Sequence, residues 1–169
     1  MNITIRRVEP TDHEALHRLY SGRQVIWGTT QLPFPSLEMW RKRLAEPPEG
    51  IYGIVACVEG EVVGHLNIHT NPNRPRRQHA AGIGISVRDD FQGQGVGTAL
   101  MQAALDVADN WLNVQRLELE VYTDNEPAVR LYQRAGFVIE GTLRQYSFRD
   151  GRYVDVYAMA RFRPAGAPE

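Results

Sequence analysis

Apolar and polar residues alternate at the N-terminus, where Ile3 and Ile5 are set against Thr4 and Arg6. That alternation predicts a first strand over residues 2–8, ended by Pro10. Thr11-Asp12-His13-Glu14 matches a capping box, and the spacing of Ala15, Leu16, Leu19 and Tyr20 predicts a helix behind it. Residues 21–35 show no period and read as an irregular, proline-stiffened loop. Ser36 caps a second helix carrying Leu37, Trp40, Arg41 and Leu44, which Pro47-Pro48 stops. Residues 51–58 and 62–69, joined by Glu59-Gly60-Glu61, predict an antiparallel hairpin. A polar loop with Arg74, Arg76 and Arg77 follows, then an apolar strand over residues 79–87. A helix over residues 98–112 is expected to bury Leu100, Ala104, Ala108 and Trp111. Residues 115–122 alternate again, with Leu117, Leu119 and Val121 on the apolar face. Asn125 as N-cap, Pro127 in the first turn and Gly136 as C-cap bound the next helix. Strands over residues 137–147 and 153–162 are joined at Asp150-Gly151, a hairpin signal.

No internal repeat or linker interrupts this order, so a single domain is expected over residues 1–163, with a frayed tail at 164–169. A chain of 169 residues, 43% of them apolar, suffices for one substantial core. The net charge of −1 gives no general pull toward nucleic acid or an anionic membrane. No apolar run approaches the length of a membrane span, and the first residues have no signal-peptide core. The one cysteine, Cys57, sits in an apolar run where it is expected to pack, in a reducing, cytoplasmic setting. His13 and His17 lie one helical turn apart without a third ligand, so no metal site is expected.

The chemistry concentrates between the apolar strand and the helix that follows it. Gly93, Gly95 and Gly97 alternate immediately before a helix N-terminus. Glycine allows close approach of the backbone to a ligand. The first N–H groups of a helix lack internal partners and sit at the positive end of its dipole, a cradle for phosphate. A P-loop is excluded because no lysine follows. The dinucleotide fingerprint fails at its third glycine, where Thr98 stands. What remains is Gln-x-x-Gly-x-Gly, met by Gln92, Gly95 and Gly97, or a glycine-rich turn that holds no ligand.

Gln92-x-x-Gly95-x-Gly97 resembles the coenzyme A pyrophosphate loop of the GNAT family of N-acetyltransferases, and Asn125-x-x-Ala128-x-x-x-Tyr132-x-x-x-Gly136-Phe137 resembles the segment after that family's fifth strand. Pro35-Ser36, Arg74-Pro75-Arg76-Arg77, Asp109-Asn110-Trp111-Leu112, Glu140-Gly141-Thr142, Tyr153-Val154-Asp155 and Met159-Ala160-Arg161 are similar to a bacterial subgroup that acetylates free L-amino acids. The resemblance implies an α/β fold: a twisted mixed sheet, helices on both faces, and fourth and fifth strands that splay apart. It implies acetyl-CoA as co-substrate, with the pantetheine arm along Ile85 and Val87. The pyrophosphate would lie on Gln92, Gly93, Gln94, Gly95, Val96, Gly97 and Thr98, with Asn125 touching the coenzyme across the gap. Tyr132 would protonate the departing thiolate. No metal is implied, and dimers recur in the family, so a homodimer is an expectation.

The acceptor is expected to be a small-molecule amine, most directly the α-amino group of an amino acid. A protein N-terminus, another small amine such as a polyamine, and a coenzyme-binding sensor without catalysis stay open. A carboxylate clamp would draw on Arg76, Arg77 or Arg149, and Phe34, Tyr146 and Tyr153 could receive an apolar side chain. For the base that removes the amine proton, His65, His69, His79, Ser86, Glu118, Glu120 and a water route remain alternatives. Strand parity puts His79, Ile83, Ile85 and Val87 on one face if no bulge intervenes.

Overall fold

The computed structural model describes residues 1–165. Seven strands form one sheet: β1 (Ile3–Arg7), β2 (Ile51–Val58), β3 (Glu61–His69), β4 (Ala80–Val87), β5 (Arg116–Tyr122), β6 (Val138–Arg149) and β7 (Arg152–Phe162). The helices are α1 (His13–Tyr20), α2 (Arg23–Gly28), α3 (Leu37–Ala45), α4 (Val96–Asn110) and α5 (Glu126–Arg134). The strand order is β1-β2-β3-β4-β5-β7-β6. Every neighbouring pair is antiparallel except β4 and β5.

Helices cover both faces. The larger core packs α4 and α5 on one face, where Leu100, Met101 and Ala104 meet Leu66, Ile68, Leu117 and Leu119. The smaller core packs α1, α2 and α3 on the other, around Leu16, Leu19, Val25, Trp40 and Val55. Cys57 is buried and unpaired in this second core. The faces follow from strand alternation: β4 directs Ile83, Ile85 and Val87 to the α4 side, and β5 does the same with Leu117, Leu119 and Val121.

The β4–β5 pair is the feature that makes a site. Parallel pairing runs only from Ala80↔Arg116 through Ala81↔Leu117 to Gly82↔Glu118. Beyond Gly82, β4 stays paired with β3 as far as Val87↔Gly64, and β5 stays paired with β7 as far as Tyr122↔Val156. The sheet therefore opens from Ile83 onward.

Several sequence expectations need correction. Residues 23–28, expected as loop, form α2. Its N-terminal N–H groups are capped from far away: the Asp89 carboxylate accepts from Gln24 N (3.0 Å) and Val25 N (3.3 Å). Helix α4 starts at Val96 and ends at Asn110, so Trp111 lies past its end and is exposed rather than buried. His79 precedes β4 in a turn, where its carbonyl accepts from Gln115 N and Arg116 N. Strand parity does not apply to it. The β3–β4 register runs without a shift, so Ile83, Ile85 and Val87 do share a face. Arg163, the last residue of the expected domain, donates to Asp109 O and Asn113 Oδ1. Of the expected tail at 164–169, residues 166–169 lie outside the described residues.

Candidate active site

The split in the sheet opens into a cleft of about 820 Å³ lined from both of its faces. On the α4 side it meets the glycine turn. Gly93 and Gly95 adopt φ of +73° and +89°, the left-handed region that favours glycine, and a Cβ at either would meet nothing within 4 Å. Gly95 is the N-cap of α4 and no side chain caps that terminus. The first N–H groups of α4 thus have no acceptor among the described residues, at the edge of the cleft that Gly97 and Thr98 line. Gln92 reaches back to β4, its Nε2 donating to Val87 O at 3.1 Å, and Gln94 Nε2 donates to Asp90 O at 2.8 Å. Gly97 stands at the seam between strand and helix: a Cβ there would lie 3.2 Å from Leu131 and close to Val87 and Ile85.

Asn125 and Tyr132 approach from the other side of the split. Asn125 caps α5 through Ala128 N (3.4 Å), while its Nδ2 faces Gly28 at the end of α2. Tyr132 lines the cleft and is 6% exposed, edge-on to Phe137 at a ring separation of 5.9 Å. Its hydroxyl has no hydrogen-bond partner among the described residues. Burial pushes the phenol well above its ordinary pKa, so it keeps its proton across the neutral range.

The opposite face of the split forms a second half of the cleft. There β4 presents Gly82, Gly84 and Ser86, and β5 presents Glu118 and Glu120. Tyr20, Trp40 and Arg43 from the helices and Asn67 and His69 from β3 close the wall. Residues Gly28, Thr29, Thr30 and Gln31 form the roof. The roof is tied to β5 because Tyr122 Oη donates to Thr29 O at 3.1 Å and lies 3.0 Å from Ser147 Oγ.

The candidate bases now separate. His65 is buried beside Tyr20, whose hydroxyl lies 2.9 Å from its Nδ1, and it does not line the cleft. Burial, aided by the charge of Arg43, lowers its pKa to about 4. Glu118 is held by Arg77 (2.7 Å) and Arg116 (2.6 Å). Its burial works against the charge, but the two arginines prevail and keep it below the usual carboxylate range. His69 lines the cleft with its pKa lowered by burial and then by Arg43. Glu120 lines it with no ion pair among the described residues.

Of the coenzyme residues expected from sequence, Ile85, Val87, Gln92, Gly93, Gly95, Gly97, Thr98 and Asn125 line the cleft, and Tyr132 joins them. Val96 turns its side chain into the core. The expected acceptor residues are not brought together. Phe34 is 97% exposed, Arg76 and His79 are exposed, and Tyr153 is 64% exposed against Phe148. None of these four lines the cleft. Arg149 is committed elsewhere: it pairs with Asp124, donates to Trp27 O, and lies 3.9 Å over the Trp27 ring and 4.7 Å over Tyr122. Tyr146 does line the cleft. Sequence reasoning missed Tyr20, Arg43 and Asn67, which carry no local motif. Among the described residues no cluster of His, Cys, Asp and Glu could hold a metal ion.

A split parallel strand pair, a glycine cradle on a helix N-terminus and a buried phenol across the gap describe a site for a long, phosphate-bearing acyl donor. The chain belongs to the acetyltransferase (GNAT) family, whose model matches residues 14–137, and is an acyl-CoA-dependent N-acetyltransferase. Over 161 residues it is 47% identical to the L-amino acid N-acetyltransferase AaaT of Escherichia coli (strain K12), covering 95% of this chain and 98% of that one. Among solved structures it is similar to the acetyltransferase of GNAT family from Streptococcus pneumoniae, with a TM-score of 0.82 and 27% identity over 96% of this chain and 100% of that one. The spermidine N-acetyltransferase from Vibrio cholerae, in complex with CoA and spermine, matches with a TM-score of 0.82 and 27% identity over 95% of each chain.

Proposed function

We propose that the chain transfers the acetyl group of acetyl-CoA to the α-amino group of a free L-amino acid by direct attack in a ternary complex. The observation that carries this reading is the single cleft that joins the glycine cradle, the unpaired edge of β4 and Tyr132 to a second half, which we assign to the acceptor. The relationship to an L-amino acid N-acetyltransferase at 47% identity supports the acceptor class. The charges of the acceptor half also support it. Glu118 is paired with Arg77 and Arg116, which leaves Glu120 as the open carboxylate of that wall, fewer than the several ammonium groups of a polyamine would favour.

Acetyl-CoA supplies an activated thioester carbonyl. The residues of the chain do the rest. The N–H groups of the first turn of α4 and the turn at Gly93 and Gly95 receive the pyrophosphate. Ile85 and Val87 offer the pantetheine arm a strand edge without a partner. The backbone of the same edge supplies an N–H for the oxyanion formed when the amine nitrogen adds to the carbonyl carbon. His69 and Glu120, or water between them, take the proton that the nitrogen sheds. As the C–S bond breaks, Tyr132 passes its proton to the thiolate and recovers one from solvent. That transfer is uphill in water, since a phenol's pKa of about 10 lies above a thiol's roughly 8.5, a difference of about 2 kcal/mol. A thiolate desolvated in the same cleft becomes more basic, which offsets part of the rise that burial gives the phenol itself. A cytoplasmic setting, where acetyl-CoA is made and Cys57 stays reduced, and action as one domain and a homodimer complete the proposal.

The test is thiol release from acetyl-CoA over the twenty L-amino acids, polyamines and short peptides, with Tyr132→Phe alongside. Turnover of amino acids, lost in the variant, is the expected result. Turnover of peptides or polyamines alone would overturn the acceptor class, and tight coenzyme binding without turnover would overturn catalysis.

A further inference from the structure

One cation in the acceptor half is uncommitted. Arg77 and Arg149 are spent on Glu118 and Asp124, and Arg76 stands outside the cleft. Arg43, on α3, lines the cleft and forms no salt bridge or hydrogen bond among the described residues. Its guanidinium lies 5.3 Å from the Trp40 ring centroid, which fixes it at the corner that Trp40 walls. The Trp40 indole N–H is buried there without an acceptor among the described residues. A buried donor left unpaired is costly, so Trp40 marks a corner short of acceptors, and among the described residues no anion answers Arg43 there. The positive field of Arg43 is felt locally, since it helps to hold both His65 and His69 below their ordinary pKa.

Across the split, Glu120 is a carboxylate without an ion pair among the described residues. Between the two walls β4 contributes glycine, and a Cβ at Gly84 would meet nothing within 4 Å. The acceptor half is thus an open space with an uncompensated positive wall on α3 and an uncompensated negative one on β5. That polarity suits a molecule carrying a carboxylate at one end and an amine at the other.

We propose that Arg43 binds the α-carboxylate of the acceptor and makes the enzyme selective for free amino acids over amines that lack one. The proposal rests on the amino acid reading above. It turns Trp40 into the platform on which the guanidinium is displayed, and it leaves the amine directed toward β4, Glu120 and the thioester.

The experiment compares kcat/KM for the L-amino acid turned over fastest and for its carboxamide, in wild type, Arg43→Met and Arg43→Lys. Wild type is expected to prefer the free acid. Arg43→Met should cut the acid-to-amide ratio by about 10–100-fold, through KM for the acid, because it removes a charge-assisted hydrogen bond. Arg43→Lys, which keeps the charge without the fork, should fall between the two. An unchanged ratio in Arg43→Met, with wild type active on free acids, overturns the clamp and leaves the amino acid reading standing. Equal rises in KM for acetyl-CoA and for the acid overturn it as well, since they mark a distorted cleft. If wild type turns over no free amino acid, both readings fall together.

Discussion

Tyr132 is held by its neighbours rather than by its own hydroxyl. Its carbonyl accepts from Phe137 N at 3.0 Å, Gly136 turns the chain at φ +90°, and the Phe137 ring packs against it. Removing the hydroxyl should therefore leave the fold alone and remove only the proton. Tyr132→Phe is expected to lower kcat by about 10²–10⁴-fold, with the melting temperature close to wild type. Calorimetry and steady-state kinetics on one preparation check both halves. His65 makes a different prediction. Its pKa of about 4 in the fold, against an unfolded value of 6.5, means that the unfolded chain binds more protons between those limits. Stability from this group is complete above pH 6.5 and falls as the pH drops toward 4, by roughly 3 kcal/mol at the lower end. Melting temperatures measured from pH 7 to 4.5 should fall accordingly. His65→Gln should flatten that slope, and an unaltered slope would assign the acid sensitivity to other groups.

At the scale of elements, α2 depends on a residue it does not contain. Asp89, between β4 and α4, supplies the cap and fills the space where a side chain on Gly22 would lie, 2.8 Å from its Oδ1. Asp89→Ala should cost about 1 kcal/mol and raise KM for the acceptor more than for acetyl-CoA, because α2 and the turn after it roof the acceptor half. A urea titration and KM measurements for both substrates test this. The same dependence explains why α2 was illegible in the sequence: its start signal lies 65 residues downstream of Gln24. Helix α5 was legible because Asn125, Pro127 and Gly136 are local signals. The strands were legible from their alternation, and the glycine turn from its spacing. Arg43 was not legible. On α3 it looks like any solvated residue, and only the position of α3 over the split gives it a role. Arg149 failed as a candidate for the converse reason, since Asp124, Trp27 and Tyr122 converge on it through the fold.

For the whole molecule, the split divides the sheet into β1-β2-β3-β4 and β5-β7-β6, joined by three residue pairs. A donor lying along β4 and touching α5 would tie the two parts together. Acetyl-CoA at 100 times its Kd should stabilise the protein by about 2.7 kcal/mol, a rise in melting temperature of roughly 5–10 °C for a chain of this size. Thermal melts with and without the coenzyme check it, and coenzyme without a shift would argue against binding in the split. The glycine-turn side of the cleft was largely readable because its motifs are short and contiguous, although Gln94 and Val96, expected with the rest, do not line it. The acceptor half draws on α1, α3, β3, β4 and β5 together, which no local pattern announces.

From Ile83 to Val87 the strand is an edge in the middle of a sheet, and exposed edges are where proteins stick to one another. Here the hazard is contained by enclosure. Helices α4 and α5 flank the opening on one face, and α2 with residues 29–31 bridges it on the other, fastened by Asp89 at one end and Tyr122 at the other. A second polypeptide strand brings side chains on both faces, which that bridge obstructs more than it would a thin, unbranched chain. The bridge thus keeps an adhesive edge out of reach of other copies of the protein, and losing it should show as clumping on storage beside the weaker grip on the acceptor.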